Sequence, residues 1–298
     1  MKKNVLLSVI IPVVVLLLAG CFVLSDKNQE AGKENKKIND FNNVPAEKQA
    51  ALLLEREELE KQRQVHLAEF YLPLPPLGQE HEMKTVKAKA LYLTANVAGF
   101  GFAEENVNYY AAYIRSRSGE SGLPADTSRL AEINKLEKAL AICESTEVNA
   151  LVIDIKNDDG LVTWGSDIEA VGQVGSNWAA PFADYAALMD YLKKKDIYCI
   201  ARVVAFKDPY FAWKMSGHAI QLKSGGAYQD DDGFAWVNPF DEYVWKYLVA
   251  ISREAALRGF DEIQYDYVRF PDDAAHYNPI TEFPGRNGRD KDEGIEDF

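Results

Sequence analysis

Four short apolar runs follow one another from Lys87 onward, and a segment of helical periodicity separates each from the next. The runs are Ala90–Asn96 (ALYLTAN), Ala150–Lys156 (ALVIDIK), Ile197–Phe206 (IYCIARVVAF) and the stretch Gly259–Asp272 (GFDEIQYDYVRFPD). Between the first two, RLAEINKLEKALAICEST places Leu130, Ile133, Leu136 and Leu140 at helical spacing, with Thr127 or Ser128 as the N-cap. Residues 184–195 and 238–258 supply the next two helices, and Gly259 suits the position just past a helix end. Near-continuous apolar strands alternating with helices predict a parallel sheet buried on both faces.

Polar residues gather at the C-terminal ends of these strands. Asp154 and Lys156 lie on one side of the second strand by its period of two. Arg202 sits in the third, with Lys207 and Asp208 just beyond it, and the fourth carries Gln264 and Asp266 on one side and Tyr265 and Tyr267 on the other. Strand pairing needs none of these groups, and a buried charge without a partner costs several kcal/mol. They are therefore expected to meet one another or water. In parallel sheets the C-terminal strand ends are where ligand sites form.

The chain ahead of Lys84 has a different character. It opens MKKNVLLSVIIPVVVLLLAGCFVLS, a basic start and an apolar run that mark residues 1–25 as an export signal or membrane anchor. Leu18-Ala19-Gly20-Cys21 resembles a bacterial lipobox, with Cys21 as the lipidated residue; the alternative is an uncleaved spanning helix of about 20 residues. Either reading makes the rest of the chain extracytoplasmic and tethered to a membrane. Residues 26–83 read as a polar tether, a helix from Pro45 to about Glu69, and a Pro-rich spacer. The folded domain is expected over residues 84–298.

Composition narrows the partners. Lys and Arg total 33 against 46 Asp and Glu, and a net charge of −13 argues against nucleic acid. The three cysteines, Cys21, Cys143 and Cys199, form no CxxC pair and the four histidines are scattered, so a Cys/His zinc site is not expected. Cys143 and Cys199 read as buried small hydrophobes.

The segments NALVIDIKNDDG, DIYCIARVVAFKDP and WVNPFDEYVWKYLVAISREAALRGFDEIQYDYVRFP resemble the bacterial "putative glycosyl hydrolase" family, an extracytoplasmic family with a (β/α)8-barrel domain. The likeness runs from about Lys87 to Pro271. It implies an α/β fold of the TIM-barrel family and hydrolysis of an extracytoplasmic poly- or oligosaccharide. Only four βα units are legible where a barrel has eight strands, so the resemblance also implies that further strands complete the domain.

Glycoside hydrolysis usually takes two carboxylates, one protonating the leaving oxygen and one attacking or activating water. The resemblance makes Asp266, at the end of the fourth strand, the first candidate as nucleophile or base; Asp154 and Asp208 are the other candidates within the chain, and an acid on the further strands is the alternative partner. Arg202 is the neighbouring cation expected to hold Asp266 ionised. Lys156, Asp208, Gln264, Tyr267, Arg269 and Trp236 are the candidate substrate-binding residues, with Arg269 also able to brace its loop. Tyr228, Trp164 and Trp178 are further aromatics for stacking or for packing. Each charged pair has a purely structural alternative, and Asp158 and Asp159 read as turn residues. A divalent metal is the lesser use of a carboxylate-rich site, and no cofactor is expected. A non-catalytic carbohydrate-binding barrel at the cell surface is the competing reading, and an inactive barrel fragment is another.

Overall fold

The computed structural model describes residues 44–74, 86–102, 130–178 and 185–298. The chain divides into two compact units, residues 1–56 with 76–80, and residues 57–75 with 81–298. In chain order the elements are α1 (Ala46–Leu67), a 3-10 turn (Ala68–Phe70), β1 (Ala90–Leu93), α2 (Ala95–Phe102), α3 (Leu130–Ser145), β2 (Ala150–Lys156), α4 (Glu169–Val174), α5 (Tyr185–Lys194), β3 (Tyr198–Val204), α6 (Pro209–Lys214), a 3-10 turn (Ser216–His218), β4 (Gln221–Leu222), α7 (Glu242–Leu257), β5 (Glu262–Asp266), α8 (Ala274–Tyr277), β6 (Thr281–Glu282) and α9 (Lys291–Glu296). Of the first unit, only the opening turns of α1 fall among the described residues. The expected signal or anchor, with Cys21, lies outside them. Among the described residues no helix is long and apolar enough to cross a membrane.

The second unit is built on a four-stranded sheet in the order β1-β2-β3-β5, with every pairing parallel. This is a mixed α/β fold with a parallel sheet, and among the described residues the sheet does not close into a barrel. A two-stranded antiparallel ribbon, β4 with β6, lies outside it; strands of two residues carry no periodicity and leave no trace in the sequence.

Among the described residues, one face of the parallel sheet is fully covered. Leu93, Leu151, Ile153, Cys199, Ala201 and Val203 are buried in one core. On the other face Tyr92, Glu262 and Gln264 are exposed. Among the described residues, the expected burial is complete on the first face. The open face carries the strand-end polar residues, which remain paired with one another or hydrated.

Helix α7 shows how the covered face forms. Val244, Tyr247, Leu248, Ile251 and Ala255 fall on one stripe and are buried. Asp241 caps the helix by accepting from the Tyr243 N–H at 2.8 Å. Ser252 donates to the Tyr265 hydroxyl at 2.7 Å, fixing α7 to β5. Glu254, buried on the same helix, accepts from the Trp164 indole, the Ser166 hydroxyl and the Asp167 N–H. That buried carboxylate ties the segment after β2 to α7.

Two boundaries differ from expectation. The first strand ends at Leu93 rather than Asn96, because Thr94 caps α2: its hydroxyl accepts from the Val97 N–H and its carbonyl from the Ala98 N–H. The domain boundary near Lys84 leaves out residues that belong to the core. Phe70 and Leu72 are buried, Phe70 packs edge-on to Tyr243 at 4.9 Å, and the Leu72 carbonyl accepts from Arg253 at 3.3 Å.

Candidate active site

Register decides which strand-end residues share a face. Tyr92 pairs with Val152, Asp154 with Arg202, Arg202 with Gln264, and Val204 with Asp266. Tyr92, Asp154, Arg202, Gln264 and Asp266 therefore all belong to the open face. Lys156 does not. The register shifts between Asp154 and Lys156, so that Lys156 pairs with Val203. A bulge inserts one residue and breaks the period of two, which sends Lys156 to the opposite side from Asp154.

Arg202 is the hub of the open face. Its Nη1 donates to Asp154 Oδ1 at 2.7 Å. Its Nε and Nη2 both meet Asp266 Oδ2, at 2.8 and 2.6 Å. Asp158, just past β2, reaches the same guanidinium at 3.3 Å. The planar fork of arginine allows this; a lysine ammonium would act as a single point charge. Burial opposes the Arg202 charge, but the hydrogen bonds that Arg202 donates to Asp154, Asp158 and Asp266 outweigh it and raise its pKa.

The three carboxylates are not equivalent. Asp154 is 3% exposed, and its second oxygen accepts from the Tyr92 hydroxyl. Burial pushes its pKa above the usual carboxylate value, outweighing the Tyr92 and Arg202 donors that pull it down. The same contact and its own burial push the Tyr92 phenol up. By contrast, the side chains of Asp266 and Asp158 are 43% and 46% exposed. Asp154 is thus the buried member of the three, whereas Asp158, like Asp266, reaches solvent. Sequence reading treated Asp158 as a turn residue. It is one, but its turn stands above Arg202.

Backbone strain marks the same place. Tyr267 has φ +53°, a left-handed conformation that costs a bulky residue of order 1–3 kcal/mol. In return its N–H donates to Asp266 Oδ1 at 2.7 Å. Asp266 is thus held through one oxygen by Arg202 and through the other by the chain itself.

Lys156 and Asp208 form a second, closed pair. Lys156 Nζ lies 2.8 Å from Asp208 Oδ2 and donates to the Val204 carbonyl at 2.6 Å, while Asp208 Oδ1 caps α6 by accepting from the Phe211 N–H at 2.8 Å. The two residues are 0% and 1% exposed. They have no surface to offer a ligand, so the expectation that they bind substrate is corrected: their part is to brace. Gly160, at φ +84°, closes the turn over them, and a Cβ there would fall 1.9 Å from Asp208 Oδ1. The Asn157 side chain accepts from the Asp159 and Leu161 N–H groups, which completes the turn that carries Asp158.

Of the remaining candidates, Gln264 is exposed on the open face. Trp236 is 2% exposed, and its indole donates to Asp230 at 2.8 Å; it supports Arg269, whose guanidinium carbon lies 5.2 Å from its ring centroid, and presents no face to a sugar. Tyr228 and Trp164 are likewise buried, and Trp178 is exposed. Cys199 is buried, and burial pushes its thiol up to about 12. Among the described residues no three His, Cys, Asp or Glu side chains are arranged to hold a metal ion.

This architecture resembles solved structures to different degrees. A hypothetical protein from Ruminiclostridium thermocellum ATCC 27405 is 30% identical in sequence and superposes with a TM-score of 0.52, over 70% of this chain and 87% of its own. A cycloalternan-degrading enzyme from Trueperella pyogenes is 14% identical with a TM-score of 0.34, over 55% of this chain and 25% of its own. No curated protein matches the chain. Residues 125–298, which carry β2, β3, β5 and every carboxylate around Arg202, match the family model described as "Putative glycosyl hydrolase domain", and the chain belongs to that family.

Proposed function

We propose that the chain is a glycoside hydrolase and that Asp266 is its reacting carboxylate, as nucleophile or base. The observation that carries this is the treatment of Asp266. It lies at the C-terminal end of a parallel strand, is half exposed, and is held through both oxygens by Arg202 and the strained Tyr267 backbone. Asp158, the second exposed carboxylate on Arg202, is the group proposed to protonate the leaving oxygen. In that division the glycosidic C–O bond breaks, Asp158 delivers a proton to the departing oxygen, and water supplies the hydroxyl of the new reducing end, giving its proton to Asp266 acting as base or, after a glycosyl–Asp266 intermediate, to Asp158. Asp154 and Tyr92 hold Arg202 in place, and Gln264 extends the polar surface on the same face. Tyr267 and Arg269 complete the rim.

The substrate is proposed to be an extracytoplasmic poly- or oligosaccharide, with the chain tethered to the membrane through Cys21 or through the apolar run before it. Release of reducing ends from a panel of oligosaccharides, measured beside calorimetric binding, tests this reading. Turnover supports a hydrolase. Binding without turnover of any bound sugar supports a carbohydrate-binding module on the same face.

A further inference from the structure

The rim beside Asp266 carries positive charge that the reaction proposed above does not use. Lys207 follows β3, next to the point where the Phe206 N–H donates to the Tyr267 carbonyl at 3.3 Å. Its ammonium lies 5.1 Å from the Tyr267 ring centroid and 4.5 Å from that of Phe234. Among the described residues no carboxylate pairs with it, although the chain carries 46 Asp and Glu. Arg269 places its guanidinium carbon 5.3 Å from the same Tyr267 centroid. Among the described residues the one acid on Arg269 is Asp272, at 2.8 Å, whose side chain is 89% exposed; a partner so open to water is screened and weak.

Two cations thus share one aromatic ring, a single residue along the chain from Asp266. Cation–π contact orients an ammonium without neutralising it, so both charges stay available to a ligand. Next to them, three carboxylates surround one guanidinium, which leaves that cluster negative. A neutral sugar needs no cation at this rim, whereas an anionic one would be repelled by the cluster unless a positive group received it.

We propose that Lys207 and Arg269, arranged on Tyr267, form a subsite for a sugar residue bearing an anionic substituent, a carboxylate or a sulfate ester, adjoining Asp266. This rests on the glycosidase reading for the position of the subsite. Its test does not need turnover.

Binding is measured by calorimetry on the full chain carrying Asp266→Asn, which retains the rim. The probes are an oligogalacturonate with its carboxyl-reduced form, and a sulfated galactan oligosaccharide with its desulfated form. At least one anionic probe is expected to bind about tenfold or more tighter than its neutral counterpart, and the member that does so identifies carboxylate or sulfate. Lys207→Met should abolish the difference while leaving the neutral form unaffected, and Lys207→Arg should restore most of it. Equal binding of both anionic probes and their neutral forms, failure of both anionic probes to bind, or an equal loss on all probes in Lys207→Met would overturn the proposal. Failure of the hydrolase reading appears separately, as an absence of reducing ends when the wild-type chain is given a probe that it binds.

Discussion

Arg202 joins a buried carboxylate to an exposed one: its Nη1 meets Asp154 Oδ1 at 2.7 Å, and its Nη2 meets Asp266 Oδ2 at 2.6 Å. One rigid plane therefore sets the position of the reacting group from the interior of the sheet. Removing that plane should be felt in stability as well as activity. Arg202→Met leaves Asp154 buried without its cation, a loss of about 3–5 kcal/mol. Urea unfolding should show a lower midpoint with an unchanged slope. A midpoint within error of wild type would mean that Asp154 is not paired as described.

Gly160 answers to both of its constraints. Its φ is +84°, and an added methyl would meet Asp208 Oδ1 at 1.9 Å. Gly160→Ala must displace a buried carboxylate from Lys156 as well as adopt a left-handed backbone, and is expected to cost about 2–4 kcal/mol. Because the same turn carries Asp158, activity should fall by more than the unfolded fraction explains. Thermal melts and turnover on the same samples check both effects; a stable, fully active variant would show that the turn does not position Asp158.

Asp154 makes a prediction about pH. Burial raises its folded-state pKa above the ordinary 3.8, so between those values the folded chain binds more protons than the unfolded one. The stabilisation from this group is complete below the unfolded value and is lost as pH rises through the folded one. Asp154→Asn removes that titration. The melting temperature of wild type minus that of the variant should therefore fall as pH rises from the ordinary carboxylate value through the raised folded-state one, and then level off. A difference that is flat or climbs with pH would contradict the assignment.

Much of this arrangement can be read from residue order alone. Strand β2 coincides with its apolar run from Ala150 to Lys156. The meeting of Arg202 with Asp266 follows from charged residues on adjacent strands, which needed partners near the C-terminal ends. What escaped is non-local. Nothing in ALVIDIKNDDG marks the bulge that turns Lys156 away from Asp154, because the bulge is defined by pairing with β3. Tyr92 is one aromatic within an apolar run, and its bond to Asp154 spans 62 residues. Asp158 did leave a signal, an acid just beyond a parallel strand, but its turn chemistry hid it. Trp236 attracted notice as an aromatic near the rim, and only tertiary packing reveals that it is covered.

The central claim is that Asp266 reacts with the glycosidic centre rather than merely balancing Arg202. The most direct test compares turnover and binding for Asp266→Asn on an oligosaccharide that the wild-type chain cleaves. The amide keeps the size and an acceptor oxygen for Arg202 but removes the nucleophile or base. We expect kcat to fall by about a thousandfold or more with the dissociation constant changed by less than about tenfold. Turnover of Asp266→Asn within about tenfold of wild type would contradict the account and assign Asp266 to the ion pair alone.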